Sequence, residues 1–164
     1  MSTFVSTPTY THTVTHLTDK LLTSISNIIR DSGLDMGRFC RTRESMEEGI
    51  KAWLDSGHLE YVVLEICEPG TEKLIKLWKF EVFTDGTGEQ GFWFDGADIR
   101  YHLQKAGAVP ARCEYTVKVQ NKPGEPAVSG WSNCQFRDAS ALRQYSLGTT
   151  ISVGSSGART SYYR

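Results

Sequence analysis

The residues with which this chain could do metal or nucleophilic chemistry are few: four histidines (His12, His16, His58, His102) and four cysteines (Cys40, Cys67, Cys113, Cys134). His12 and His16 lie four apart, with Asp19 next on the same predicted helix face. That is the pattern of a two-His-one-carboxylate metal site. The interior Glu of an HExxH helix is absent, His12 stands at the helix start and the face is the solvent side, so surface polar residues are the better reading and no metal is expected. His58 follows Gly57 and marks a loop boundary. His102, at the edge of a helical stripe, reads as a partly buried structural residue. Cys40 with His58 as its base is the one nucleophilic pairing available, and nothing supports it beyond the presence of both. No GxSxG elbow occurs. Val153–Gly157 is glycine-rich but lacks the GK[ST] of a phosphate loop, and GxGxxG is missing. Glu47 and Glu48 are adjacent and point to different parts of a helix surface, a poor acid–base pair. The cysteines form no CxxC pair, which argues against zinc knuckles and redox pairs. The expectation is a protein that is not an enzyme and needs no cofactor.

Arg38, Arg41 and Arg43 flank Phe39 and could contact phosphates. Glu44, Glu47 and Glu48 follow at once and weaken that field, so the segment reads as a solvated loop. Lys+Arg 18 against Asp+Glu 19 leaves a formal net charge of −1, a poor basis for non-specific nucleic-acid binding. The charge is unevenly spread: residues 1–94 carry 9 basic and 14 acidic groups, residues 95–164 carry 9 basic and 5 acidic.

These residues must be positioned by a chain of 164 residues, 39% hydrophobic and 11% aromatic, the size and make-up of one globular domain. No apolar run reaches the 18 residues of a membrane span. Met1–Val5 has neither a basic nor an apolar signal region. A cytoplasmic protein with free thiols is expected.

Hydrophobic spacing predicts a helix over residues 13–30, with Val14, Leu17, Leu21, Ile25 and Ile28 at intervals of three and four, widened by Leu22 and Ile29. Gly33 is its stop signal. A second helix is predicted over residues 45–56, opened by a Ser45/Glu48 capping box and carrying Met46, Ile50, Trp53 and Leu54 on one side. Gly49 inside it costs about 1 kcal/mol in propensity and reads as room for a close helix contact. Residues 61–67 and 74–83 form a predicted hairpin about Glu68-Pro69-Gly70-Thr71, with Trp78, Phe80 and Val82 on one face. Asp85–Gly88 reads as a turn, and residues 91–94 as a short strand. Asp95 with Asp98 opens a third helix carrying Ile99, Leu103 and Ala106, stopped by Gly107. Residues 113–120 alternate cleanly as a strand, with Cys113, Tyr115, Val117 and Val119 on one face, so its other face sees solvent or something removable.

After Gln120 no period is sustained. Residues 146–164 contain 11 Gly, Ser or Thr among 19, yet also Ile151, Val153, Tyr162 and Tyr163, which a linker does not need. At roughly 1–2 kcal/mol of backbone entropy per residue, ordering this tail is balanced closely against strand pairing and burial. A rearranging segment, a permanent strand pair and a frayed tail all remain open.

The order helix, helix, hairpin, helix, strand and long aperiodic end resembles a HORMA domain: α+β, three helices on an antiparallel-rich sheet with a C-terminal safety belt. More narrowly the chain resembles the bacterial HORMA domain family 1 proteins of cyclic-oligonucleotide (CBASS) anti-phage signalling. The resemblance is carried by residues 13–22, Ser32-Gly33-Leu34-Asp35, residues 48–54, 57–60 and 62–65, and Gly148-Thr149-Thr150-Ile151 with residues 157–164. It implies a single domain over residues 1–164, with an arm (1–11), a core (12–120) and a safety belt (121–164). It implies a peptide-binding switch: the belt wraps a closure-motif peptide, and the closed form binds and activates a cyclic-oligonucleotide synthetase, a cGAS-like nucleotidyltransferase (CD-NTase). An AAA+ ATPase then opens it from the N-terminal arm, at Thr3, Phe4 and Val5. Within that scheme the 113–120 strand is the edge for β-augmentation. Peptide-binding candidates are Tyr115, Val117, Val119, Trp131, Phe136 and Leu142, and belt residues are Tyr145, Ile151, Val153, Tyr162 and Tyr163. The alternative is a static adaptor of the same fold that does not switch.

Overall fold

The computed structural model describes residues 10–84 and 93–164. Thr3, Phe4 and Val5 and the Asp85–Gly88 turn lie outside the described residues. Three helices pack on one face of a six-stranded antiparallel sheet, the α+β arrangement expected.

The first helix, α1 (Tyr10–Asp31), is the centre of the core. Leu21, Leu22, Ile25, Ile28 and Ile29 have no exposed surface, and Val14 and Leu17 have almost none. The stripe is so wide that two polar residues are buried with it. Thr18 and Ser24 are satisfied by their own helix, donating to the Val14 and Lys20 carbonyls at 2.7 and 2.8 Å.

The second helix corrects the sequence reading. α2 spans Gly37–Asp55, so Ser45 and Glu48 are interior and cap nothing. Asp35 serves the start instead, its carboxylate accepting from the Gly37 amide at 3.0 Å. The arginine-rich segment read as a loop is therefore the first two turns of α2. Phe39 points into the core there, while Arg38 and Arg41 stay exposed. Cys40 lies in the first turn of α2, while the His58 amide bonds back to the Trp53 carbonyl near its last turn; from Cys40 to Trp53 the helix rises about 20 Å at 1.5 Å per residue, which removes that nucleophilic pairing.

The hairpin forms as expected from β1 (Leu59–Cys67) and β2 (Leu74–Thr84), with Leu64 opposite Trp78 and Val62 opposite Phe80. A two-residue strand β3 (Trp93–Phe94) leads into α3 (Gly96–Ala106), capped by Asp95 accepting from the Asp98 amide at 2.9 Å. β4 (Glu114–Asn121) pairs antiparallel with β1.

The glycine- and serine-rich end is two full strands, β5 (Gln144–Val153) and β6 (Ser156–Tyr163). The sheet order is β3-β5-β6-β2-β1-β4. β6 pairs along β2 from Leu77↔Tyr163 to Thr84↔Ser156, and β5 lies outside it. Ile151, Val153, Ala158 and Tyr162 join the main core, and Tyr162 is stacked between Trp78 and Tyr145 at centroid distances of 4.9 and 5.1 Å.

Candidate functional site

The sheet ends at β4, which has β1 on one side and, among the described residues, no strand on the other. Its Tyr115, Val117 and Val119 face the helices, and Thr116, Lys118 and Gln120 alternate to the outer face. A strand so placed leaves one row of backbone amides and carbonyls without ladder partners, a template for a further strand.

Residues 122–143 do not fill that edge; they arch around it. The segment leaves β4 with the Lys122 amide donating to the His58 carbonyl at 2.7 Å. It runs back along α2, where Trp53 Nε1 donates to the Pro126 carbonyl and Trp131 Nε1 to the Ser45 carbonyl, both at 2.8 Å. It then passes around β4 to the outer face. Lys118 Nζ donates there to the Gln135 carbonyl at 2.7 Å, and the rings of Phe136 and Tyr61 lie 5.7 Å apart. Ala139 and Leu142 finally cover Val63, Leu74 and Leu77 on the outer face of the sheet. Between the arch, α2 and β4 lies a cavity of about 870 Å³.

Two anchors hold the arch. On the helix face, Trp131 sits in a notch made by Gly49: a Cβ at Gly49 would lie 2.3 Å from Trp131 Nε1. Trp131 also meets Trp53 edge to face at 5.0 Å. The contact at Gly49 is therefore not with another helix, as the sequence suggested, but with a side chain from 82 residues downstream in a non-helical segment. On the outer face, Glu65 is 1% exposed. Its carboxylate accepts from the Arg137 amide (2.9 Å), from Arg137 Nη1 (2.8 Å) and from Lys118 Nζ (2.7 Å). Burial works against the Arg137 charge, but the hydrogen bond and the charges of Glu65 and Glu72 hold its pKa above the ordinary value. The triad ties β1, the edge strand and the arch together, and Glu72, 3.2 Å from Arg137 Nε, supplies the second carboxylate for its two cations.

One end of the cavity is fixed by Tyr115. Its hydroxyl accepts from the Phe39 amide at 3.0 Å and donates to the Asp35 carbonyl, so β4 is fastened to the N-terminal turn of α2. Burial pushes the Tyr115 hydroxyl pKa up, against the Phe39 hydrogen bond, so it stays a neutral relay.

Of the six peptide-binding candidates read from the sequence, Tyr115, Val117, Val119, Trp131 and Phe136 line this cavity. Leu142 does not; it packs on the outer face instead. Tyr145, Ile151, Val153, Tyr162 and Tyr163 belong to β5 and β6 and do not line the cavity, though Tyr163 shares the outer-face cluster with Ala139 and Leu142. Glu65, Lys118, Arg137 and Gly49 were missed as parts of the site; a carboxylate in the otherwise apolar run Val62–Cys67 was the available signal. His102 is half-buried, its Nδ1 3.4 Å from the Tyr162 hydroxyl and its Nε2 3.6 Å from Asp98. Asp19 pairs with Lys20 at 3.7 Å, and the described residues contain no group of three metal-ligating side chains. All four thiols are free.

The comparisons with known proteins bear on the fold that carries this edge strand and arch. A family model described as Bacterial HORMA domain 2 matches residues 1–164. The chain belongs to that family. The HORMA assignment agrees with the sequence reading, although the number differs from the family 1 named there. Solved structures share the fold of this HORMA domain at low identity. A C. elegans HTP-2 structure bound to the HIM-3 closure motif is 10% identical, with TM-score 0.70, covering 90% of this chain and 87% of its own. A chain of the mitotic checkpoint complex is 12% identical, with TM-score 0.68 and coverage of 89% and 94%. A chain of the E. coli MS115-1 HORMA:CdnC:Trip13 complex is 13% identical, with TM-score 0.64 and coverage of 100% and 95%. No curated protein matches the sequence. Among the described residues no helix is long and apolar enough to cross a membrane.

Proposed function

We propose that this HORMA domain is a peptide-binding switch in which a closure-motif peptide adds as a strand to β4 and is encircled by residues 122–143. The observation that carries this reading is the arch itself: it leaves the β4 edge open to a strand while passing around it from the helix face to the outer face. Strand addition would supply main-chain hydrogen bonds along β4, and encirclement would make release wait on opening the arch. The HTP-2 relative solved with a closure motif supports the same mode.

The relative solved as a HORMA:CdnC:Trip13 complex supports a choice of partners. In this reading the closed, peptide-loaded domain binds and activates a cyclic-oligonucleotide synthetase in anti-phage signalling. An AAA+ ATPase reopens it by engaging the N-terminal arm, residues 1–11 with Thr3, Phe4 and Val5. The safety belt is residues 121–164, of which 122–143 form the encircling part. The protein acts in the cytoplasm as a non-enzymatic component.

Affinity capture from source-cell lysate tests this, with the full chain as bait beside a Val117→Arg variant whose circular dichroism is unchanged. Recovery of a nucleotidyltransferase and an AAA+ ATPase by the wild type, with the first lost on the variant, is expected. Recovery of neither by the wild type rejects the switch in favour of a static adaptor.

A further inference from the structure

The groove has a chemical polarity that goes beyond the binding of a strand as such. Its two ends are located by the contacts already described. Tyr115 is fastened to the first turn of α2, and Trp53, near the last turn, holds Pro126. From Phe39 to Trp53 the helix rises about 21 Å at 1.5 Å per residue. From Tyr115 to Asn121 the strand runs about 20 Å at 3.3–3.4 Å per residue. The groove therefore matches an extended peptide of about six or seven residues.

Along that length the helix-side wall is apolar, with Val117, Val119, Met46 and Trp131 against the main core. The opposite row of β4 is polar, and its one cation, Lys118, is neutralised by Glu65. A strand paired with β4 projects alternate side chains toward these two walls. The ends carry opposite exposed charges. Arg38 lines the cavity in the first turn of α2, where the helix dipole adds to its positive potential, and Glu125 lines it at the start of the arch. Neither is in an ion pair among the described residues.

Resting on the peptide reading above, we propose that the groove selects an extended peptide with apolar residues at alternate positions, an acidic residue at the Arg38 end and a basic residue at the Glu125 end. The two end charges fix which way the peptide lies.

The test is selection of a display library of random twelve-residue peptides on the full-length protein. Selected peptides should share two or three apolar residues at i, i+2 and i+4, flanked by Asp or Glu on one side and Lys or Arg on the other. On the best peptide, reversing the acidic residue to Lys should weaken binding about tenfold to wild type. Arg38→Glu should restore it, and Glu125→Lys should do the same for the basic end. Both residues are exposed, so the variants should fold. Amide hydrogen exchange of the wild type with that peptide separates the two claims. Protection along Tyr115–Asn121 with no charge consensus, or with affinities indifferent to the swaps, overturns the polarity and leaves the groove reading standing. Protection elsewhere, or a library that yields no binder, overturns both.

Discussion

The two parts of the C-terminal third are held in opposite ways. Residues 144–163 are woven into the sheet: β6 pairs along β2, and Ile151, Val153, Ala158 and Tyr162 lie in the main core with no more than 2% of their surface exposed. Residues 122–143 meet the sheet backbone only at their ends, through Lys122 to His58 and Arg143 with Arg164, and are mostly exposed, held between by the notch at Gly49, the Glu65 cluster, the Leu142 contacts and a few hydrogen bonds to backbone carbonyls. Freeing the arch breaks a small number of polar contacts, unseats Trp131 and uncovers the outer-face patch of Val63, Leu74 and Leu77. Freeing the hairpin uncovers the centre of the protein. The arch therefore costs less to free than the hairpin does, as expected of the locally least stable part of a domain. It also follows that cutting the chain after Gln120 removes two core strands together with the arch, so point changes separate the two parts better than truncation does.

The largest expected effect is in the hairpin. Ile151→Asp places a carboxylate where Ile151 has no exposed surface, and an unpaired buried charge costs several kcal/mol. The variant should lose its cooperative thermal transition or melt at least 10 °C lower, since 1 kcal/mol is about 2–4 °C at this size. Leu21→Asp in α1 should behave alike, because both side chains sit in the same core. A melting temperature within a few degrees of wild type for Ile151→Asp would mean that the hairpin is held as loosely as the arch, and the comparison would fall.

Next comes the Glu65 cluster. Glu65→Ala leaves Lys118 and Arg137 facing each other with their shared carboxylate gone. Breaking a buried pair in this way costs about 3–5 kcal/mol. Arg137→Ala costs less, because Glu65 keeps Lys118 at 2.7 Å. Hydrogen exchange should show faster exchange over residues 133–143 in both variants, with the core amides of α1 slowed as in wild type in Arg137→Ala. Equal melting temperatures for the two variants would show that Glu65 does not organise the cluster.

Trp131→Ala follows, at about 1–2 kcal/mol. It removes one edge-to-face aromatic pair, worth about 0.5–1.5 kcal/mol, and one hydrogen bond to the Ser45 carbonyl. Affinity for a groove-binding peptide should fall more than stability does. An unchanged affinity would show that the arch does not need this anchor.

How much of this was legible in the sequence depends on the range of the interactions. α1, the β1–β2 hairpin, α3 and β4 could be read because each carries its own period and its own stop signals, as with Asp95 and Gly107 for α3. The start of α2 was also written locally, as Phe39, Met46, Ile50 and Trp53 at spacings of seven, four and three; the run of arginines on its exposed side obscured it. β5 and β6 were not legible as strands because their ladder is interrupted between Ser146 and Gly148 and between Thr149 and Ile151. Each register shift breaks the alternation that a sequence reading relies on. The arch anchors carry only half a signal each, Glu65 as a carboxylate in an apolar run and Gly49 as a glycine inside a helix, and neither names its partner. Glu65 and Arg137 are 72 residues apart and meet only because the chain turns around β4.

The smallest effect on stability, and the sharpest test of the arch, is Gly49→Ala. Gly49 is in the interior of α2, where Ala is favoured over Gly by about 1 kcal/mol, so on helix propensity alone the variant should be more stable. The added Cβ, however, would lie 2.3 Å from Trp131 Nε1 and 2.5 Å from its Cε2, distances at which the indole must leave its notch. The two effects act on different parts of the molecule. α2 gains and the arch loses its helix-side seat, so the melting temperature should change by no more than a few degrees. Residues 125–136 should exchange faster and a groove-binding peptide should bind more weakly, by about the same factor as in Trp131→Ala. Because both changes empty the same notch, the double variant should lose little more than either single one. Independent, additive losses would mean that Gly49 serves α2 and not the arch.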